Sequence, residues 1–389
     1  MVIRYLKCIV AASMIMMISG CWSQINFDQL TVVSAIGLDL DEDQKLQVSL
    51  QLVNPTLPVA AGGATQQRRA VAIYTATGHT IHEAIEIIKK QSKKNLFFSQ
   101  TRAILISEKL AKNGLSNIVD YFWREPNQNF NSWVLISNST AKDALSRSKE
   151  LLAVSSDEWK AYLKDKTNNT ARGGIELYQF LSRLNQSSYE AAVPGISPFA
   201  SESKQIIMEI GKLAVFNGDK MSGWLSLDES RIVNWLSRSS KTGVIQVKIK
   251  NDEFIDFDLT NIHIKTTAQF KNNQLVMSIL MKCDAHIKTS TEALDLASQQ
   301  VSHTIETKLN QYLNTGIKHT LHKTFDTYQS DAVGFGDVVH RTYPEKWKSI
   351  EANWGATLKT IELAVDTDVR LVKSGLLINR SIKKDDKDD

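Results

Sequence analysis

Residues 275–287 alternate without interruption. Leu275, Met277, Ile279, Met281, Cys283, Ala285 and Ile287 fall on one side, and Val276, Ser278, Leu280, Lys282, Asp284 and His286 on the other. A period of two sustained this long marks a β-strand with one mostly apolar face. Just before it stand Asn272 and Asn273, which tolerate the left-handed backbone of a tight turn, so residues 253–270 are expected to form the partner strand. Ile361, Leu363, Val365, Val369 and Leu371 alternate with Glu362, Asp366, Asp368 and Arg370, predicting another strand with a solvated acidic face. Between these strands Leu294, Ala297, Val301, Ile305, Leu309, Leu313, Ile317, Leu321 and Phe325 recur at spacings of three and four. That spacing predicts a long amphipathic helix, which Gly316 is placed to kink or split. A shorter helix opens near Pro344, shows Trp347, Ile350 and Trp354 on one face, and stops at Gly355. The carboxyl-terminal third is thus a sheet with helices on its apolar face.

The amino-terminal half mixes strands and helices. "TVVSAIGLDL" (31–40) and "KLQVSLQLV" (45–53) read as strands joined by a turn at "DEDQ", and "PTLPVAAGGATQQ" (55–67) as an exposed loop. A strand over 70–75 precedes a helix in which Thr80 and Glu83 form a capping box and Ile81, Ala84, Ile85 and Ile88 the apolar face. "LFFSQTRAILIS" follows as two short strands or one bent strand. A helix capped by Ser107 and stopped by Gly114 comes next, then a helix over 115–123, a strand over 133–136 and a helix opened by Thr140 and Asp143. Such alternation fits an α/β or α+β domain. Residues 151–205 read as a helix-rich second domain or connector, with helices over 157–166 and 175–184, and with "VPGISPF" leading to a linker near residue 200.

Residues 1–20 have the parts of a secretory signal: Arg4 and Lys7, then an uncharged apolar run over 9–18, then small residues. The run is about half the length needed to span a bilayer. Ile18-Ser19-Gly20-Cys21 resembles the bacterial lipobox, which makes Cys21 the expected lipid attachment point, S-diacylglyceryl and N-acyl. Two acyl chains hold a protein stably where one holds it marginally, at about 0.8 kcal/mol per buried CH₂. Removing Arg4 and Lys7 with the leader lowers the basic count from 46 to 44, against 42 acidic residues, a balance that implies no nucleic-acid partner. Cys8 leaves with the leader and Cys21 is acylated, so Cys283 has no disulfide partner within the chain.

No catalytic pattern emerges. His79-x-x-His82 beside Glu83 is not a His-Glu-x-x-His site, and its Glu is better used as a cap; His319 and His322 lack a third ligand. All four read as solvated histidines. Cys283 reads as a small hydrophobe. "GFG" (334–336) lacks the spacing of a phosphate loop, Ser197 lacks a nucleophile elbow, and aromatics beside basic residues such as Trp123-Arg124 are too scattered to stack bases. No metal, cofactor or catalytic residue is expected.

Several blocks, in order, carry a family resemblance: "GCW" (20–22), "VVSAIGLDLDED" (32–43), "VNP" (53–55), "GHTIHEAIEII" (78–88), "LFFSQTRAILISEKLAKNGL" (96–115), "LAVFNGDKMSGWLSLDESRIVNWL" (213–236) and "DAVGFGDVVHRTYPEKWKSIEANW" (331–354). The chain resembles the spore germination receptor C-subunit lipoproteins, the Ger(x)C family. It departs from them at "SQINFDQL" after the anchor and at Gln100, where a His is common; partner specificity is what these changes touch. The resemblance implies an α+β protein of three domains, each a largely antiparallel β-sheet with packed α-helices. The corresponding segments are a cleaved signal peptide (1–20), an amino-terminal domain (21–150), the middle domain or connector (151–205), a carboxyl-terminal domain (206–375) and a charged tail (376–389). It further implies a subunit held by its lipid on the outer face of the spore inner membrane, assembled with polytopic A and B subunits into a nutrient receptor. Only Cys21 carries over as a functional residue. Gly334 and Gly336 are expected in turns, and Trp347 and Trp354 in a core. Two other readings compete: an extracytoplasmic solute-binding lipoprotein that holds a nutrient itself, against which no matching halves are visible, and an envelope enzyme acting on peptidoglycan, against which no catalytic set is visible.

Overall fold

A computed structural model describes residues 30–53, 71–93, 95–147, 174–200, 206–237, 239–250, 253–291 and 298–372. The expected leader, Cys21, the loop over 55–67, the helix over 157–166, Leu294, Ala297 and the charged tail lie outside these residues.

The first sheet begins with β1 (Leu30–Leu40), β2 (Leu46–Val53) and β3 (Val71–Gly78), an antiparallel meander. The turn at "DEDQ" closes with Gln44 at φ 62°. Helix α1 (Ile81–Ser92) follows, then β4 (Asn95–Phe97), β5 (Ala103–Ser107), α2 (Glu108–Asn113), α3 (Ser116–Arg124), β6 (Trp133–Ser137) and α4 (Ala141–Arg147). After β7 (Ile175–Glu176) and α5 (Leu177–Leu184) come β8 (Ala192–Ala200), β9 (Ile206–Asn217) and β10 (Lys220–Trp224). All ten strands join one sheet in the order β10-β9-β8-β6-β5-β1-β2-β3, with β4 beside β1 and β7 beside β6. The flanks are antiparallel, whereas β1, β5, β6 and β8 run parallel at the centre. Central parallel strands are covered on both faces, and β5 and β6 are accordingly buried at every residue. Ile104, Ile106, Val134 and Ile136 face the core under α1, α2 and α5, while Ala103, Leu105 and Leu135 face α4.

Helix α4 sits closely on this second face. A Cβ at Gly37 would lie 2.8 Å from Leu145 Cδ1 and 3.3 Å from Ala141 Cβ, so a larger residue there would have to displace the Leu145 side chain. Its amino-terminus is fixed by Asp39 of β1, whose buried carboxylate accepts from Ala141 N at 2.7 Å and Lys142 N at 2.9 Å. Burial raises the Asp39 carboxyl above its usual value, against the pull of these hydrogen bonds. Asp39→Ala would leave both amides unpaired and is expected to cost about 1–2 kcal/mol in chemical denaturation.

Residues 192–200 are therefore a strand of this sheet, where the sequence reading placed the approach to a linker. Pro194 and Pro198 are tolerated because β6 pairs with β8 only at Gly195 and Ile196, which leaves both prolines on stretches that behave as edge. Residues 175–184 divide into β7 and α5, and so also belong to this sheet and its helical cover.

The second sheet has the order β11 (Gly243–Lys250), β12 (Glu253–Lys271), β13 (Gln274–Ser290), β14 (Glu362–Leu371). The β12–β13 hairpin turns at Asn272 (φ 48°) and Asn273 (φ 67°), as their residue types predict. Helix α7 (Gln299–His322) covers the apolar face with Ile305, Leu309, Leu313, Ile317 and Leu321, and ends in a π-helical turn over Lys323–Thr327 that buries Phe325. It runs through Gly316 unbroken; that glycine instead lets α6 (Leu227–Leu236) approach, since a Cβ would lie 3.2 Å from Ile232. Strand β14 is parallel to β13, and α7 covers its free edge. Asn310 Oδ1 accepts from Val369 N at 3.1 Å, and Glu306 Oε1 from Leu371 N at 2.8 Å. Helices α8 (Phe335–Thr342), α9 (Pro344–Ile350) and α10 (Trp354–Leu358) fill one end of this core. Gly355 lies inside α10 and does not end a helix, because a short 3₁₀ turn over Glu351–Asn353 separates α9 from α10.

Candidate functional site

Among the described residues, a pair of buried acids and a cleft each join distant stretches of chain. The first lies at the junction of the two sheets. The segment after α7 returns to the first sheet at Ser188-Tyr189-Glu190, just before β8. Glu190 N donates to Asp331 O at 3.1 Å, Asp331 N donates to Glu190 Oε2 at 2.5 Å, and Gly218 N donates to Glu190 Oε1 at 3.1 Å. Asp337 N donates to Ser188 O at 3.1 Å, and Ser188 Oγ to Asp337 Oδ1 at 2.5 Å.

Asp331 is fully buried and collects three donors: Phe335 N at 2.9 Å, Gly336 N at 2.7 Å and Trp354 Nε1 at 2.9 Å. The "GFG" stretch thus does open a helix, with Gly334 in the left-handed region (φ 75°), but the anion at that helix terminus is the chain's own carboxylate. Gly336 is packed against Ser188, where a Cβ would lie 2.7 Å from its Cα and carbonyl oxygen. Trp347 and Trp354 are core residues, as expected, packed edge to face at 5.0 Å. Burial pushes the Glu190 carboxyl up to about 7 and the Asp331 carboxyl up to about 6, although each accepts backbone hydrogen bonds that favour the ionised form. Neither acid stood out in the sequence. The available signal was Asp331 ahead of Gly334 and Gly336 in one short block, the pattern of a capping carboxylate.

The second place is a cleft of about 580 Å³ between α6, β11 and α7. Ile232, Trp235 and Val247 give it an apolar floor, and Arg231, Lys308 and Tyr312 polar or amphipathic walls. Its volume lies within the range of small-ligand pockets. At one side Glu229 accepts from Lys323 Nζ at 2.8 Å and 3.0 Å and from Ser226 N at 2.7 Å, linking α6 to the end of α7. Burial raises the Glu229 carboxyl, but the Lys323 ammonium and the hydrogen bonds from Ser226 together outweigh it and leave the group below its usual value.

The remaining sequence candidates are dispersed. His79 and His82 are exposed. The Glu83 carboxylate accepts from His79 N at 2.7 Å, one residue ahead of the capping-box partner, while the Thr80 hydroxyl accepts from Glu83 N as expected. His319 and His322 are mostly exposed, at 3.6 Å from Glu229 and 3.4 Å from Asp326 respectively. Among the described residues no group of three or more His, Cys, Asp or Glu is placed to hold a metal. Cys283 is buried, and burial pushes its thiol up to about 12, far from a reactive thiolate. Ser197 lies on β8 with Glu209 of β9 as its cross-strand partner, and Trp123 packs on Phe130. No described helix is long and apolar enough to cross a membrane.

The chain superposes on the crystal structure of the GerBC protein with a TM-score of 0.58, covering 87% of this chain and 97% of that one. At 15% identity that likeness speaks to the fold. Sequence gives the lineage. Residues 23–198 match the model of the spore germination protein N-terminal domain, and residues 211–375 that of the spore germination B3/GerAC-like C-terminal region. Spore germination protein KC of Bacillus subtilis is 25% identical, over 98% of this chain and 99% of its own length. Spore germination protein GerQC of Bacillus cereus is 23% identical, over 92% and 95%. The chain belongs to the Ger(x)C family of spore germination proteins.

Proposed function

We propose that this protein is the lipid-anchored C subunit of a nutrient germinant receptor, acting through contacts with polytopic A and B subunits on the outer face of the spore inner membrane. The observation that carries the reading is the match of both family segments, in order, over nearly the whole exported chain. The lipobox ending at Cys21 supports the anchor, and the dispersal of the histidines and Cys283 is consistent with a role in assembly. Residues able to meet another protein include those lining the cleft, where Tyr312 is exposed.

The test is recovery of a carboxyl-terminally tagged chain from detergent-solubilised spore inner membranes, with mass spectrometry of what accompanies it. The intact chain is expected to bring polytopic germination subunits with it, and Cys21→Ala to be lost from the membrane fraction. Recovery of the protein alone, with germination normal in its absence, would refute the receptor reading. The second reading, direct nutrient binding, is favoured by the 580 Å³ cleft. Titration calorimetry of the Cys21→Ala chain with germinant nutrients separates the two: heat of binding that Tyr312→Ala removes would place the nutrient in the cleft.

A further inference from the structure

Six large apolar side chains are exposed among the described residues, and of these only Tyr312 lines the cleft. Phe97 is 38% exposed, Trp123 43% and Tyr178 58%. They lie at one end of the first sheet. Strand β1 begins at Leu30 beside Asn95 of β4, and Val32 pairs with Phe97. The parallel neighbours β5 and β6 start at the same end, with Ala103 opposite Trp133. Trp123 closes α3 with its ring 5.8 Å from Phe130 and 6.3 Å from Tyr178, in an edge-to-face contact with the latter. Tyr178 N donates to Phe130 O at 3.1 Å. The loop that carries Phe130 is tied to the chain just after β4: Ser99 Oγ donates to Asn127 O at 3.3 Å and Asn129 Nδ2 to Thr101 O at 2.8 Å. The three exposed aromatics are therefore carried on elements bound to one another.

Single exposed apolar residues need no explanation, but a group on one rigid end does. Tryptophan and tyrosine, with an apolar body and a polar tip, prefer the boundary between acyl chains and water. The chain itself indicates what lies opposite. Cys21 precedes Leu30 by nine residues, and nine residues span at most about 30 Å. A lipid at Cys21 would hold this end of the sheet within about 30 Å of the bilayer.

We propose that the sheet end carrying Phe97, Trp123 and Tyr178 is a membrane seat whose aromatic rings enter the headgroup region of the bilayer. It rests on the lipid-anchor reading of Cys21. Lys93 at the end of α1 and Arg124 after Trp123 are balanced by Asp120, paired with Arg124 at 2.8 Å, and by Glu125. The seat is thus chiefly aromatic, and its engagement should depend little on the anionic lipid fraction.

The test uses the full lipidated chain in vesicles of phosphatidylethanolamine and phosphatidylglycerol whose acyl chains carry bromine, a contact quencher of tryptophan. A Trp22→Phe background removes the tryptophan beside the anchor. Bromolipid is expected to quench part of the emission at both low and high phosphatidylglycerol, and Trp123→Phe, which keeps a ring against Phe130, is expected to abolish the quenched component. If mass spectrometry finds Cys21 acylated but bromolipid quenches both chains equally, the seat is wrong and the anchor stands. If Cys21 carries no lipid, anchor and seat fall together.

Discussion

Asp331→Ala is expected to cost about 3–5 kcal/mol of stability. The carboxylate is fully buried and satisfies two backbone amides and the Trp354 indole. Each buried donor left unpaired costs about 1–3 kcal/mol. Against a typical total of about 5–15 kcal/mol, that is a third or more of what holds the chain folded. Urea titration followed by tryptophan fluorescence reads it directly. Asp331→Asn should lose less, since its amide oxygen still accepts on one side while its NH₂ opposes a donor on the other. A loss below about 1 kcal/mol for the alanine variant would mean that water enters and replaces the carboxylate.

Stability is also expected to fall as pH rises from 5 to 8. Glu190 and Asp331 hold their protons more tightly in the folded chain, titrating near 7 and 6. Between their unfolded values, about 4 to 4.5, and these folded ones, the native state binds more protons than the unfolded state. Their contribution is fully present below the unfolded values and is lost as pH climbs through the folded ones. Carboxylates shifted the other way, such as Glu229 and Asp219, are ionised in both states throughout this range and add no slope. Glu190 alone accounts for about 3 kcal/mol at most. Glu190→Gln should therefore flatten the profile between pH 5 and 7, which thermal unfolding at a series of pH values would show. A wild-type profile already flat there would mean that the pair sits ionised and fully solvated.

The junction that both predictions probe was the least legible part of the sequence, for a physical reason. Glu190 and Asp331 are 141 positions apart, and neither carries a local pattern; their roles arise only when the two sheets meet. Local patterns served well. The alternation over 275–287, the Asn272-Asn273 turn and the three-and-four spacing of α7 each state their geometry within a few residues. Punctuation residues misled where tertiary contacts reassigned them. Gly195 makes room for the Trp224 ring, 2.4 Å from where a Cβ would sit, and the prolines beside it lie outside the short β6 ladder, so a linker-like composition belongs to a strand. Gly316 likewise serves a helix contact and not a kink. The cleft was invisible because α6, β11 and α7 bring its walls from three separate stretches of chain.

The pairing of β8 with β9 has a consequence for how such proteins diversify. The two family segments meet between residues 198 and 211, yet a hydrogen-bonded ladder from Ala192 with Val215 to Ala200 with Ile206 runs straight across that boundary. A recombination breakpoint there would force strands from two ancestries to zip together, and would also have to match the Glu190–Asp331 clasp. Exchange of whole subunits between receptors is therefore the easier route to new combinations, and transplanted halves are expected to fold only when this seam travels intact with one parent.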